Sequence, residues 1–562
     1  MADSVDIEKA EERRLEEAPS QTSTEHKFGP DIDLTTFHER VAGRLVVDPE
    51  EARIEFGDEI ASRLKLSRDR KKVLWPQPTD DPEDPQNWSD GRKAMQLFIV
   101  TVAAVIPDFD SGVGIAALFA LAKQYDTTTG VINNLTSNWS IFLLGACSPL
   151  YLQTIFHSYA VFALAFMVGC TFAPNLKTFA GAFRPFTEFT KSRLTRRYIL
   201  LAMRCLTAFF GYVPTLSGLY VVTDLYPFHL QARKLNLWTM GFIIAPFLSP
   251  FAFGFLVARA DWRWSYGVAS LYGAFVVFMI SFFGEETLYD RSVQPIPPRP
   301  GKSLSSRVAT LVGITGGRMG KYRPTLLNGL LSHVDCIWRP HLLSVLVFEG
   351  ILFGFGVGIN VTNAVFLGTP PPVGYGFSQY GIAAGYATPI VAVVIGELVG
   401  RYTNDWIQNA SIRKHNGVFE AEYRLWACYI AIPLYICGFV LLGASFQNHM
   451  SVGALVMGWG IAQVAIMINT VAIYAYCNDC FPKQQGEISA LINLSRALGG
   501  FAVPFFQVPW AESYGALEVF GCEAAIVSGL FLLIVPALQV KGADLRVSAS
   551  IIRMLWALNV VS

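Results

Sequence analysis

The chain has 562 residues, of which 52% are hydrophobic, 13% aromatic and only 16% charged, whereas soluble domains carry about 25% charged residues. Lys and Arg (44) balance Asp and Glu (44), so no net basic character points to nucleic acid. The charges crowd into residues 1–93 and 285–340 and a few short gaps. Between them lie apolar runs of about 20 residues, the length that crosses roughly 30 Å of hydrocarbon. The fold class expected is therefore all-α, a polytopic membrane protein.

Residues 1–93 are rich in Glu, Arg, Asp and Ser and contain no apolar core of a cleavable signal. They are expected to form a disordered cytoplasmic tail. Asp81-Pro-Glu-Asp-Pro-Gln-Asn-Trp-Ser89 introduces the first span, with Trp88 suited to the interface and Arg92 and Lys93 to the inner side. Twelve candidate spans follow, near 94–122, 131–150, 159–175, 199–222, 236–258, 264–284, 341–366, 378–400, 424–446, 452–476, 488–509 and 518–539. They group into six-helix halves at 94–284 and 341–540, joined by a connector at 285–340 and followed by a tail at 541–562. An even number puts both termini on one side. The basic gaps 285–340 and 401–424 make that side the cytoplasm.

Charge inside the bilayer is the chemistry that remains. Asp108 and Asp110 lie in the first span, within Val-Ile-Pro-Asp-Phe-Asp-Ser-Gly-Val-Gly. A charged side chain at the bilayer centre costs at least about 2.5–3.5 kcal/mol on insertion scales, so it faces a cavity or a partner. Positions i and i+2 lie about 200° apart on a regular helix, so the two should not share one cavity unless Pro107, Gly112 and Gly114 break the regularity. They read as a proton site, a cation anchor or one of each, the alternative being a structural pair with a base such as Arg204. In the seventh span, Glu349 is followed by Gly350, Gly354, Gly356, Gly358, Asn360 and Asn363. It reads either as a second acidic site or as one side of a structural pair. Asn469 and Gln463 of the tenth span, with Tyr474 below, fit the matching wall of the second half. Glu523, near an outer helix end, is expected to snorkel.

Nucleophile–base and metal-ligand sets are missing. The nine Cys are scattered, and Cys477-Asn-Asp-Cys480 has no second pair. Gly301-Lys302-Ser303 lacks the upstream Gly of a phosphate loop, Ile standing at 296. Neither an enzyme nor a cofactor is expected.

Asp224-Leu-Tyr-Pro227 and Asp479-Cys-Phe-Pro482 lie 255 residues apart, each between apolar runs, an echo that suggests two similar halves. With Asp81 to Trp88, Arg204, the stretch from Asp224 to Arg233, Trp262-Arg-Trp264, Glu285-Glu-Thr287 and Gly400-Arg-Tyr-Thr-Asn-Asp405, the chain resembles a fungal major facilitator superfamily transporter. Its type is the twelve-span drug:proton antiporter, most similar to the polyamine and organic-cation carrier branch. The likeness runs from about Asp81 to Leu545.

That resemblance implies a proton-coupled secondary carrier working by alternating access on small organic molecules, with export favoured over import. Organic cations, polyamines, drugs or a secondary metabolite are the substrate classes. The partners implied are that substrate, protons and the bilayer, around a monomer in the plasma membrane or, alternatively, the vacuolar membrane. Arg204 matches the fourth-span arginine associated with proton transfer. Asp108, Asp110, Arg204, Glu349, Asn360 and Asn469 become the proton and substrate site, and Asp224, Arg233, Arg401, Asp405 and Asp479 the gate. Gly241, Pro246 and Gly254 resemble the fifth-span antiporter pattern, with Ala245 and Ser249 where glycines are common. Two stretches depart from the family. Cys147–Ser158 lacks the acid and the Arg or Lys of the first-half gate loop, and Phe183–Tyr198 adds five basic residues to an outer gap. A non-transporting sensor or scaffold, or a disabled splice or gene-model variant, is the alternative.

Overall fold

The computed structural model describes residues 48–74, 77–133, 156–172, 193–211, 213–287, 326–371, 374–414, 421–481 and 484–561, with a few single positions between 289 and 314. Apart from one isolated bridge, Leu66 to Val73, the regular structure among them is helical. After α1 (Pro49–Arg63) come α2 (Asp90–Ala116), α3 (Leu118–Tyr125), α4 (Phe156–Phe172), α5 (Arg193–Gly211), α6 (Val213–Leu225), α7 (Phe228–Val257) and α8 (Arg263–Phe283). The second half holds α9 (Leu326–Ile337), α10 (Pro340–Gly368), α11 (Gln379–Gly385), α12 (Ala387–Lys414), α13 (Trp426–Gln447), α14 (Val452–Cys480), α15 (Gln485–Tyr514) and α16 (Ala516–Val561).

Nine described stretches are long and apolar enough to cross a membrane. They coincide with the expected first, fifth to tenth, eleventh and twelfth spans. The third span is the shorter α4, and the fourth is divided between α5 and α6. The second expected span lies mostly outside the described residues, as do 147–155 and 173–192. With 46 residues, α16 runs roughly 69 Å at 1.5 Å per residue. It therefore continues well past the twelfth span into what was expected to be a separate tail.

Helix pairing follows small residues. Lipid is as apolar as leucine, so helices in a bilayer gain by close van der Waals approach. A Cβ on Gly354 of α10 would stand 2.6 Å from the Gly499 Cα of α15, and one on Gly438 of α13 only 2.7 Å from the Ala462 Cα of α14. Gly354→Val is expected to push α10 off α15 and cut the yield of monodisperse, detergent-solubilised protein several-fold. Gly521→Ala, which meets nothing within 4 Å, should leave the size-exclusion profile unchanged.

Residues 64–74 and 77–89, expected to be part of a disordered tail, instead form a strap under the bundle. Asp84, 0% exposed, caps the Pro85–Asn87 turn by accepting from Gln86 N at 3.0 Å, and takes Thr79 N at 2.9 Å and Thr79 Oγ1 at 3.0 Å. Thr79 Oγ1 lies 3.0 Å from Tyr289 Oη, and Tyr289 Oη donates to Asp81 at 3.2 Å. Arg92 stacks on Trp88 at 3.7 Å and donates in bidentate fashion to Glu285. Short acidic side chains at Asp81 and Asp84, unable to enter the bilayer, thus tie the inner ends of α2 and α8 together. Asp84→Ala should destabilise the strap by about 1–2 kcal/mol, the cost of a lost cap. Faster proteolysis between residues 64 and 89 would report it, and an unchanged cleavage rate would count against the strap.

The halves touch at both ends. On the outer side, Gln379 Nε2 donates to Ala116 O at 2.9 Å, and the Gly254 Cα–H face lies against Ala383, where a Cβ would stand 2.6 Å from its Cβ. Toward the inner side, Tyr220 Oη of α6 donates to Glu487 Oε2 of α15 at 3.5 Å, while Ser332 donates to the other Glu487 oxygen at 3.3 Å.

Candidate functional site

Arg204 sits on the apolar helix α5 and is 1% exposed. Its guanidinium reaches the backbone of α2. Nη1 donates to the backbone carbonyl of Asp110, and Nη2 to that of Ser111 at 3.0 Å. Tyr266 of α8 offers its ring face 5.7 Å away. One cation therefore holds the carbonyl edge of α2 just beyond Pro107, the position where a proline weakens the helix ladder. The Asp110 carboxyl is buried in the same electrostatic neighbourhood, with Oδ1 lacking a hydrogen-bond partner among the described residues.

Asp108, two residues earlier on α2, is half-buried. Arg496 of α15 lies in the other half. Arg496 is 5% exposed and was not singled out from the sequence. It lies over the Phe353 ring at 3.3 Å, donates to Tyr474 Oη at 3.4 Å, and stands 3.8 Å from Glu349 Oε1. Glu349, 0% exposed, also accepts from Thr470 Oγ1 at 3.0 Å. Tyr474 passes its own hydroxyl hydrogen to Asn493 Oδ1 at 3.1 Å. The expected second acidic site is thus a buried ion pair with an aromatic shelf, joining α10, α14 and α15.

Asn360 is buried at the seam between the halves: its Nδ2 donates to Pro246 O at 3.3 Å, and its backbone carbonyl accepts from Tyr386 Oη at 2.6 Å. Asn469 is 0% exposed, with Nδ2 on Ala465 O at 3.2 Å and Oδ1 lacking a partner among the described residues. Glu523 corrects an expectation. Far from snorkelling, it is 0% exposed and receives Gln507 Nε2 at 3.0 Å on each oxygen, while Gln507 Oε1 accepts from Thr362 at 2.5 Å. Start-to-end position in a span could not reveal this, because α15 and α10 cover that face of α16.

Among the gate residues, Asp479 pairs with Arg424, Nε donating at 2.8 Å, and both side chains are largely buried. Arg401 is half-buried on α12 with Asp405 exposed one turn on, and Asp224 is half-buried on the last turn of α6. The side chain of Arg233 lies outside the described residues. Arg424 and Glu397 are further charges the sequence reading passed over. Glu397 is 6% exposed in the middle of α12, and neither of its oxygens has a hydrogen-bond partner among the described residues.

The Major Facilitator Superfamily profile matches residues 154–504. Among curated proteins, the MFS-type transporter penM of Penicillium rubens is 23% identical over 458 residues, covering 78% of this chain and 82% of that one. The efflux pump radE of Floropilus chiversii is 22% identical over 510 residues, 86% of each. Among solved structures, the xylose transporter XylE of E. coli aligns with a TM-score of 0.54 at 13% identity, over 80% of this chain and 98% of that one. A peptide transporter POT aligns at 0.51 and 12%, over 82% and 97%. With a profile match across well over half its length, an all-helical architecture and charges buried where bilayer centres fall, the chain belongs to the Major Facilitator Superfamily and is a multi-pass membrane transporter, not an enzyme.

Proposed function

We propose that the protein is a proton-coupled exporter of small organic molecules, a secondary metabolite or organic cation, working by alternating access between its two halves. The observation that carries the reading is the pair of buried acid–base clusters, Asp110 with Arg204 in one half and Glu349 with Arg496 in the other. A carboxyl that can hold either a proton or a cationic substrate couples the two fluxes, because arrival of one favours release of the other. Its relatives include proteins named as efflux pumps, radE of Floropilus chiversii and vrtL of Penicillium aethiopicum, which supports export. Fungal origin, the plasma membrane and a monomeric state are part of the same proposal, as are the gating roles of Asp224, Arg233, Arg401, Asp405 and Asp479.

In proteoliposomes, uptake of a labelled lipophilic cation is expected to be saturable and to accelerate when an outward-directed proton gradient is imposed. Asp108→Asn should lose the acceleration. Flux indifferent to the gradient in the wild-type protein would overturn proton coupling. Conductance without saturation would point to a channel, and binding without flux to a sensor.

A further inference from the structure

We infer that Asn360 is a lock across the two halves: its side-chain amide gives α7 the hydrogen bond that Pro250 takes away, and so holds the outer part of the seam shut. Such a lock presupposes alternating access between the halves, and neither proton coupling nor a particular substrate.

In an α-helix each carbonyl accepts from the N–H four residues further on, and proline has no N–H to give. Both Pro246 and Pro250 lie inside α7, so Pro250 removes the helical donor of the Pro246 carbonyl by covalent structure alone. The ring of a proline inside a helix also crowds that same carbonyl. A backbone oxygen within a membrane bundle needs a donor, and an unmade bond there is costly. The donor comes from the opposite half. Asn360 of α10, 4% exposed, gives its Nδ2 to Pro246 O at 3.3 Å. Only the nitrogen of an amide can serve a carbonyl, which fixes the way the side chain points. Its Oδ1 is left buried without a hydrogen-bond partner among the described residues.

Both sides of this bond are firmly mounted. Tyr386, 0% exposed, donates to the Asn360 backbone carbonyl at 2.6 Å and meets the Trp459 ring of α14 edge-on at 5.3 Å. The turn of α10 that carries the amide is therefore tied into its own half. Across the seam, Gly112 of α2 lies against α7 beside the proline: a Cβ there would stand 2.7 Å from Ser249 Cβ and 3.1 Å from Pro250 Cδ. The two residues before Gly112 are those whose carbonyls Arg204 holds. A single neutral hydrogen bond between two such mounts shifts a two-state equilibrium by roughly 2- to 10-fold. That is enough to bias the seam toward closure and little enough to be broken in every cycle. When the halves part on the outer side, the Pro246 carbonyl takes water or a donor group of the substrate in place of Asn360.

Spin labels at the exposed positions Lys123 on α3 and Val452 on α14, in the full-length protein in nanodiscs with exposed Cys437 and Cys522 replaced by Ser, measure the outer separation of the halves. Asn360→Leu, of similar size but without a donor, is expected to raise the ratio of open to closed distances by roughly 2- to 10-fold. Pro250→Ala gives α7 its own N–H for the Pro246 carbonyl, so in that background Asn360→Leu should leave the ratio unchanged. A merely structural role for Asn360 would not be cancelled by a change on the opposite helix. An equal shift in both backgrounds, or no shift in the wild-type background, would overturn the lock. If Asn360→Leu does not fold, its yield in the Pro250→Ala background decides: restored yield supports the bond, and yield still lost overturns it. A wild type with one fixed outer distance, with and without an imposed proton gradient and a lipophilic cation, would overturn the lock and alternating access together.

Discussion

Arg204→Ala is expected to be the most damaging single substitution in the first half, lowering stability by about 3–5 kcal/mol, the cost of removing one partner from a buried charged arrangement. Two backbone carbonyls, those of Asp110 and Ser111, would lose their donors in a 1%-exposed site. The Asp110 carboxyl would be left beside them without a cation, and the turn of α2 beyond Pro107 would lose the group that holds its edge. Arg204→Lys should recover only part of this, because a point ammonium on a shorter reach cannot match a fork spread over two adjacent carbonyls. Thermal unfolding of the detergent-solubilised protein and proteoliposome flux should both fall, in the order Ala, Lys, wild type. A wild-type unfolding temperature in Arg204→Ala would mean that the guanidinium holds nothing in place.

The architecture was legible because apolar length is decided by the bilayer and not by tertiary context. Every expected span that falls on described residues is helical, and two of the acids that break those runs, Asp110 and Glu349, are buried in protein. Direction was legible only in part. The sequence could not say that Arg204 would donate to the backbone carbonyls of Asp110 and Ser111. Arg496 was missed although it interrupts the eleventh span as plainly as Glu349 does the seventh. The rule that an intramembrane charge has a partner applies to bases as well as acids, and would have paired the two. Glu523 and Gln507 depended on which face of α16 is covered, and a single sequence does not encode that in its period. The strap at 77–89 hid for another reason: its bonds join Asp81 and Thr79 to Tyr289, about 210 residues away, and composition alone reads such a polar stretch as unfolded.

Glu349 offers the sharpest separation of stability from function. Glu349→Gln should cost about 3–5 kcal/mol, because Arg496 would remain buried with no anion of its own half. Thr470 would still find an oxygen to donate to, so the loss would come from the charge and not from the hydrogen bond. Pairing it with Arg496→Gln removes both charges at once. Two amides of similar volume can bond to each other and to Tyr474, and neutral pairs avoid the desolvation penalty that the ions carry. The double variant is therefore expected to unfold at a higher temperature than either single variant, while its flux stays insensitive to an imposed proton gradient. Additive destabilisation in the double variant would show that the two side chains are not partners in the folded protein. Restored coupling alongside restored stability would show that their charges serve the fold alone, leaving Asp108 and Asp110 to carry the proton.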